Sequence, residues 1–151
     1  MELSTSHWQN QGLAGLQYVV PVGISRGTPR GKQVKELPYR RGLIGKPYRW
    51  RRLPDLSPSK ELFEDWKAGN VQPDEYTRIY RDHLDTLGLE AVMGQLEKKS
   101  ADNEGKPLVL LCWCLPGQFC HRRVWADWHL EKTGQEVPEL LPRSGQATGK
   151  F

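Results

Sequence analysis

The spacing of apolar residues predicts three consecutive helices in the middle of the chain. The first follows the cap signal Ser57-Pro58 and ends at Gly69, the second opens at Pro73 and ends at Gly88, and the third follows at once. Apolar positions recur every three or four residues through these segments, as on the buried face of a helix. We interpret the two tyrosines of this stripe as packing residues. Its members include Leu62, Phe63, Trp66, Tyr76, Ile79, Tyr80, Leu84, Leu89, Val92, Met93 and Leu96.

Two apolar runs predict strands on either side of these helices. Tyr18 to Ser25 is β-branched and apolar and ends at a turn signal, so it is expected to be the first strand. Leu108 to Trp113 is continuously apolar, which is typical of a central strand covered on both faces. A fourth helix is expected to begin near Cys120 and to end at Gly134, and Val137 to Leu140 is a candidate for a short returning strand.

The order of these elements predicts a single compact α/β domain. Strands separated by helices favour a small, mostly parallel sheet flanked by helices, and 151 residues is the size of one domain. We expect the domain to span residues 17–141. An N-terminal arm is expected at residues 1–16, and a flexible C-terminal tail rich in Ser, Gly and Thr at residues 142–151.

A long basic loop is expected after the first strand. Residues 30–54 are rich in Arg, Gly, Pro and Tyr and have no helical period, and ten cationic residues lie from Arg26 to Arg52 against the single acid Glu36. The net charge of +4 is modest, so the positive charge is concentrated in this loop. Such a concentration favours an anionic partner, either a phosphate- or nucleotide-containing small molecule or a nucleic acid.

From the sequence we expect a cytoplasmic protein. The first ten residues carry Glu2, Ser6 and His7 where a secretory signal needs an apolar run, and no stretch approaches the roughly 20 apolar residues of a membrane helix. We therefore expect no membrane association. All three cysteines lie between Cys112 and Cys120, too close together to staple distant parts of a fold, so they are expected to be reduced thiols or ligands.

The cysteine-rich segment is the strongest candidate for chemistry. Cys112 and Cys114 are predicted on one side of the strand end, where open α/β sheets bind ligands. Cys120, His121 and Arg122 are predicted in the first turn of the next helix, where the positive end of the helix dipole stabilises anions and thiolates. The prediction is a reactive thiol at Cys120 or Cys112, with Arg122 forking onto a carboxylate or phosphate.

Spacing alone leaves two other interpretations of this segment open. Buried cysteines often serve as small apolar core residues. The pattern C-x-C-x5-C-H also supplies four soft ligands for structural zinc, although it lacks the usual C-x2-C knuckle, so the sequence analysis assigns no metal ligand and no cofactor. The four residues of that pattern are Cys112, Cys114, Cys120 and His121.

The basic loop supports an alternative function as a nucleic-acid-binding module. Its aromatic residues Tyr39, Tyr48 and Trp50 interleave with arginines, an arrangement that single-strand binders use for stacking and phosphate contact. A solvated loop anchored by its aromatic residues explains the same pattern. The arginines that would carry nucleic-acid binding are Arg40, Arg41, Arg49, Arg51 and Arg52.

Four segments together resemble the domain of unknown function 488 (DUF488) family. The resemblance runs from about Tyr18 to Leu140 and is most specific in a strand ending in Leu-Leu-Cys, a Pro-Gly loop and a Cys-His-Arg motif. The segments read PVGISRG, LPDLSPSKELFEDWKAG, DEYTRIYRDHL and LVLLCWCLPGQFCHRRVWADWH.

The resemblance implies a functional site and no particular substrate. It places catalytic residues at Cys112, Cys120, His121 and Arg122. It also implies that Ser25 and Arg26 are neighbouring ligand-binding residues. The positive charge of the basic loop makes Arg49, Arg51 and Arg52 further candidates for ligand binding. Members of the family often carry an acidic residue where this chain has Cys114. The leading prediction is therefore a cysteine-dependent enzyme acting on an anionic ligand.

Overall fold

The protein is an α/β domain with a three-stranded parallel sheet. A computed structural model describes residues 1–10, 13, 19–27 and 52–141, and the structural statements below concern that part of the chain. The strands are β1 (Leu3–His7), β2 (Val20–Gly23) and β3 (Leu108–Cys112), and the helices are α1 (Lys60–Lys67), α2 (Pro73–Leu87), α3 (Leu89–Ala101) and α4 (His121–Thr133). The predicted fold class is thereby confirmed.

Strand β3 lies in the centre of the sheet, which has the order β1-β3-β2. Leu108 is in register with Leu3 of β1 and with Val20 of β2, and both pairings are parallel. All five residues of β3 are buried. The continuous apolar run of this strand is therefore explained by cover on both faces, as the sequence predicts.

Strand β1 lies within the segment that the sequence analysis assigns to an N-terminal arm. Its sequence LSTSH is mostly polar, yet all five residues are buried. The Thr5 hydroxyl donates to Glu139 Oε2 at 3.0 Å, and the Ser6 hydroxyl donates to the Leu140 carbonyl oxygen at 2.8 Å. These hydrogen bonds to the C-terminal segment offset the cost of burying polar side chains, so a pattern of polar residues here does not indicate exposure.

The two faces of the sheet carry different cores. On one face, Leu108 and Leu110 pack against buried residues of all four helices, among them Leu62, Tyr80, Leu84, Leu96, Val124, Trp125 and Trp128. On the other face, Val109 and Leu111 pack with Trp8 and Leu13, and Trp113 joins this smaller cluster. Side chains of a strand alternate between faces, so Cys112 belongs to the helix side and Trp113 to the opposite side.

The helix boundaries follow the predicted cap signals with one shift. Ser59, and not Ser57, caps α1, since its hydroxyl accepts the Leu62 N–H at 3.1 Å. The Ser57 hydroxyl instead donates to the Ser25 carbonyl oxygen at 3.1 Å. Helix α4 ends at Gly134, whose φ of 76° is a left-handed conformation that favours glycine.

The predicted strand at residues 137–140 forms only a bridge to β1. Glu139 pairs with Thr5 in parallel, and the Leu140 N–H donates to the Thr5 carbonyl oxygen at 2.8 Å. Most of the predicted basic loop and the predicted tail at residues 142–151 lie outside the described residues. Within the part of the chain that is described, no helix combines the length and the apolarity needed to cross a bilayer.

Candidate functional site

Three elements bring four chemically active side chains to the carboxyl end of the sheet. Cys112 is the last residue of β3, and Cys114 follows it in the connection to α4. Cys120 is the N-cap residue of α4 and His121 is its first helical residue. Because ligands bind beyond the carboxyl ends of parallel strands, this is the position at which an α/β domain places a site.

The imidazole of His121 is fixed by a hydrogen bond to the backbone of the neighbouring strand segment. Its Nε2 lies 2.7 Å from the Ile24 carbonyl oxygen. A carbonyl oxygen only accepts, so Nε2 carries a proton, and the tautomer that this contact selects has its lone pair at Nδ1. That Nδ1 lies 3.7 Å from the Cys112 sulfur and 3.9 Å from the Cys120 sulfur. The ring is thus held with its free nitrogen directed at two thiols.

The three thiols shift one another's pKa values. Interaction with the thiols of Cys112 and Cys120 lowers the pKa of Cys114, and the positive charge of Arg122 acts in the same direction. Interaction with Cys114 raises the pKa of Cys112, and interaction with Cys112 and then Cys114 raises that of Cys120. Burial adds to both shifts. Cys114 is half-buried, whereas Cys112 and Cys120 are buried. The negative charge of a thiolate in this cluster is therefore most stable on the most exposed sulfur.

The same cluster includes a set of side chains that could hold a metal ion. The sulfur atoms of Cys112 and Cys120 and a ring nitrogen of His121 all lie within 4.8 Å of one another. Two cysteines and one histidine are a known zinc ligand set that leaves a fourth coordination position open. The Nε2 hydrogen bond to a backbone carbonyl is also the usual outer contact of a metal-binding histidine.

The four side chains border a small pocket, which we call the thiol pocket. Its cavity volume is about 170 Å³. All three cysteines and His121 line it, together with residues from the end of β2 and from helices α1 and α2. Five aromatic residues also line it, namely Phe63, Trp66, Tyr76, Trp113 and Phe119. The pocket therefore offers a mainly apolar surface beside a reactive group.

Ser25 and Arg26, the two predicted neighbours, both line the thiol pocket. The Ser25 hydroxyl is already engaged, because it accepts the Trp8 indole N–H at 3.0 Å and donates to the Gly27 carbonyl oxygen at 2.5 Å. Arg26 is exposed. Of the two, Arg26 has the side chain that is available to an anionic group of a ligand.

Tyr76 lines the same pocket, although its helical spacing indicates packing. The residue is 4% exposed. Burial raises the pKa of its hydroxyl above the usual value, and the nearby thiols, Cys120 first among them, add to this shift. The hydroxyl therefore stays protonated at neutral pH and acts as a hydrogen-bond donor.

The guanidinium of Arg122 pairs with a carboxylate of the protein, whereas the sequence predicts that it contacts a ligand. Its side chain is 2% exposed, and its Nε donates to the Glu139 carboxylate at 2.9 and 3.1 Å. Its Nη1 donates to the Cys114 carbonyl oxygen at 2.8 Å. Arg122 borders a separate depression with Arg123 and Glu139, away from the thiols. The carboxylate that Arg122 binds thus belongs to Glu139 of the protein itself. The hydrogen bond from Arg122 Nη1 fixes the backbone at Cys114.

The predicted nucleic-acid interface lies largely outside the described residues. Arg40, Arg41, Arg49 and Arg51 all belong to that undescribed segment. Arg52 is half-buried, its Nη2 lies 3.5 Å from the Arg26 carbonyl oxygen, and its backbone pairs with Gly23. Nucleic-acid binding by the basic loop therefore stays a prediction.

Sequence reasoning missed two contributors to the site. The pattern assigns Cys114 only to the zinc alternative, whereas the structure places it in the lining of the thiol pocket. Tyr76 is assigned to the core, yet it lines the pocket as well. For Cys114, the sequence signal that could have pointed to the site is its spacing of two residues from Cys112. A tyrosine at core spacing gives no such signal.

Comparison with protein-family models identifies a family over most of the chain. A family model, DUF488-N3a, described as the active DUF488-N3 subclade, matches residues 13–133. This match covers most of the chain, including the strand end, the connection and the Cys-His-Arg motif. No curated protein and no solved structure shows significant similarity to the chain.

Proposed function

Because the chain belongs to the DUF488 family, we propose that it is a cysteine-dependent enzyme that acts on a small ligand in the thiol pocket. The observation that carries this proposal is the orientation of His121. Its Nε2–H is committed to the Ile24 carbonyl oxygen, and its Nδ1 lone pair is directed at the sulfurs of Cys112 and Cys120. An oriented imidazole beside a thiol is the common arrangement for activating a sulfur nucleophile.

The nucleophile in this proposal is Cys114, in place of the predicted Cys120 or Cys112. Cys114 is the thiol with the greatest exposure of the three, and interaction with the other two lowers its pKa. Its sulfur attacks an electrophilic centre of the ligand and displaces a leaving group from that centre. The proton of the Cys114 thiol passes by way of Cys112 or Cys120 to Nδ1 of His121, which then returns it to the leaving group. Arg122 acts as a positioning residue, since it holds the Cys114 carbonyl oxygen.

An anionic ligand would contact Arg26 in this arrangement. Arg26 is exposed at the pocket, whereas the guanidinium of Arg122 is occupied by Glu139. The proposed ligand is therefore a small molecule with an apolar body inside the pocket and, where it carries a phosphate or carboxylate, that group outside the pocket beside Arg26.

The proposal is tested by thiol kinetics in single-serine variants. The reduced protein is treated with iodoacetamide at neutral pH, in the presence of a metal chelator. Replacement of Cys114 by serine should abolish the fast phase of labelling, whereas Cys112→Ser and Cys120→Ser should slow it and retain it. A fast phase that survives in Cys114→Ser would refute the assignment, and the absence of any fast phase in the unaltered protein would refute the thiol-dependent enzyme.

A second candidate function is a zinc site, favoured by the proximity of the three ligand atoms. The atoms of Cys112, Cys120 and His121 lie within 4.8 Å of one another, so a single ion could contact all three after small side-chain movements. Cys114 or a ligand molecule would complete the coordination.

Metal analysis separates the two candidates. Protein purified without chelator is assayed for bound metal by elemental analysis, alongside His121→Phe as the matched control. One equivalent of zinc in the unaltered protein and none in the variant would favour the zinc site over the free-thiol enzyme. No stoichiometric metal after growth in zinc-supplemented medium would exclude it.

A further inference from the structure

We propose that the thiol pocket selects a flat aromatic ring that carries a hydrogen-bond acceptor, and that the Tyr76 hydroxyl donates to this acceptor. The inference rests on the proposed function, since it names the class of substrate on which the thiols would act. Two features of the pocket carry it: aromatic lining residues that come from both sides of the sheet, and a tyrosine hydroxyl at the pocket whose hydrogen bond is unused.

The helix-side wall is a cluster of aromatic rings in mutual contact. The Phe119 ring centroid lies 5.0 Å from that of Trp66 and 5.3 Å from that of Tyr76. Trp66 and Tyr76 are themselves 5.3 Å apart in an edge arrangement. Such contacts hold the rings in fixed orientations and leave aromatic surface toward the cavity.

Trp113 lines the pocket as well, and it packs with the cluster on the other face of the sheet. Its ring packs against Trp8 at 5.9 Å, and its indole N–H donates to the Gly27 carbonyl oxygen at 2.9 Å. Trp113 is thus oriented by a ring contact and a hydrogen bond. A cavity between aromatic surfaces favours a flat ring, because stacking adds to the free energy gained by apolar burial.

The size of the cavity limits the ring. A volume of about 170 Å³ resembles that of protein cavities that hold one benzene molecule, roughly 150 Å³. One six-membered ring with a small substituent therefore fits beside the sulfurs. Larger substituents would have to extend past Arg26 into solvent.

The Tyr76 hydroxyl supplies the polar contact. Within the described part of the chain it has no hydrogen-bond partner, although the residue is 4% exposed. Tyr80, one helical turn away, is buried too, but its hydroxyl donates to the Leu56 carbonyl oxygen at 2.6 Å. The Tyr76 oxygen does not belong to the fully buried polar atoms that lack a partner, so it is reachable and can donate to an acceptor bound in the pocket. The two tyrosines therefore form a matched pair for experiment.

The test compares benzamide with cyclohexanecarboxamide. Both probes carry the same carboxamide acceptor, but only benzamide has a flat ring. Dissociation constants are measured by ligand-observed NMR on the full-length reduced protein, in the unaltered chain, in Tyr76→Phe and in Tyr80→Phe. We expect benzamide to bind at millimolar concentration or below and cyclohexanecarboxamide at least several-fold more weakly. Tyr76→Phe should weaken benzamide binding about threefold to tenfold, the range of one hydrogen bond, and Tyr80→Phe should leave it unchanged.

Other results of this experiment would overturn one part of the proposal or the other. Equal binding of the two carboxamides, or no binding of benzamide at millimolar concentration, would overturn the selection of a flat ring. Equal loss in both tyrosine variants would overturn the role of the Tyr76 hydroxyl. Iodoacetamide labelling of the same samples keeps the two proposals distinct, because fast labelling without benzamide binding removes this inference alone. Benzamide binding without fast labelling removes the proposed enzyme function alone.

Discussion

The Nε2 of His121 donates to the Ile24 carbonyl oxygen over 2.7 Å, which ties the first residue of α4 to the residue after β2. Two sheet-associated segments far apart in the sequence are thereby joined beside the thiols. The same hydrogen bond determines which ring nitrogen is directed at the sulfurs. The hydrogen bond between His121 and Ile24 therefore contributes to the stability of the fold and also orients the imidazole in the site.

Replacement of His121 by phenylalanine should destabilise the protein by about 1–3 kcal/mol, because the buried Ile24 carbonyl oxygen loses its side-chain donor. The free energy of unfolding is measured by urea titration. Tyr80→Phe is the matched control, since it removes a buried hydrogen bond to the Leu56 carbonyl oxygen without removing a group from the thiol cluster. Both variants should lose stability, but only His121→Phe should slow iodoacetamide labelling. Unchanged stability in His121→Phe would contradict the contact.

Replacement of Arg122 by methionine should destabilise the protein by about 3 kcal/mol, because it leaves the largely buried Glu139 carboxylate without its main partner. Thr5 and Arg123 contact Glu139 as well, so part of its hydrogen bonding remains. The double variant Arg122→Met/Glu139→Met should lose less stability than the single variant, as urea unfolding would measure. A loss in Arg122→Met that is no larger than that of a typical surface substitution would argue against this buried ion pair.

Stability should fall as the pH is lowered from neutral, because burial lowers the pKa of His129. Its Nδ1 lies 3.1 Å from the Gln135 carbonyl oxygen, and its Nε2 is buried without a partner in the described part of the chain. The folded state holds the neutral ring, so the unfolded state binds more protons between the lowered pKa and the usual value near 6.5. This contribution is complete above that value and declines as the pH falls through the window.

The measurement is urea unfolding at several pH values between neutral and mildly acidic conditions. His129→Gln should reduce the dependence on pH, because the variant has no ring to protonate. A variant with the same dependence as the unaltered protein would show that other groups account for it. His7, whose pKa is also lowered by burial, is the first of these to test.

The sequence predicts the elements whose signals are local. The helix beginning at Pro73 and ending at Gly88 is bounded by a first-turn proline and a glycine with φ of 87°, and both signals act within one turn. Strand β3 is likewise evident from an uninterrupted apolar run. These features depend on neighbouring residues, so reading along the chain is enough to find them.

The sequence does not predict contacts that join distant segments. Strand β1 looks exposed because Ser4, Thr5 and Ser6 are polar, and the hydrogen bonds of the last two reach residues near the other end of the chain. Arg122 looks available for a ligand because Glu139 is 17 residues away. The positions of the cysteines and the histidine follow from the strand end and the helix start, but which groups face the pocket depends on these long-range contacts.

The most direct test of a reactive Cys114 is residue-resolved alkylation of the unaltered protein. The folded, reduced and chelator-treated protein is pulsed with iodoacetamide at neutral pH, and peptide mass spectrometry gives a separate rate for each cysteine. The same pulse on urea-unfolded protein supplies the reference rates. The account predicts that Cys114 reacts faster in the folded protein than in the unfolded chain, while Cys112 and Cys120 react more slowly. A folded-state rate for Cys114 at or below its unfolded-state rate would contradict it.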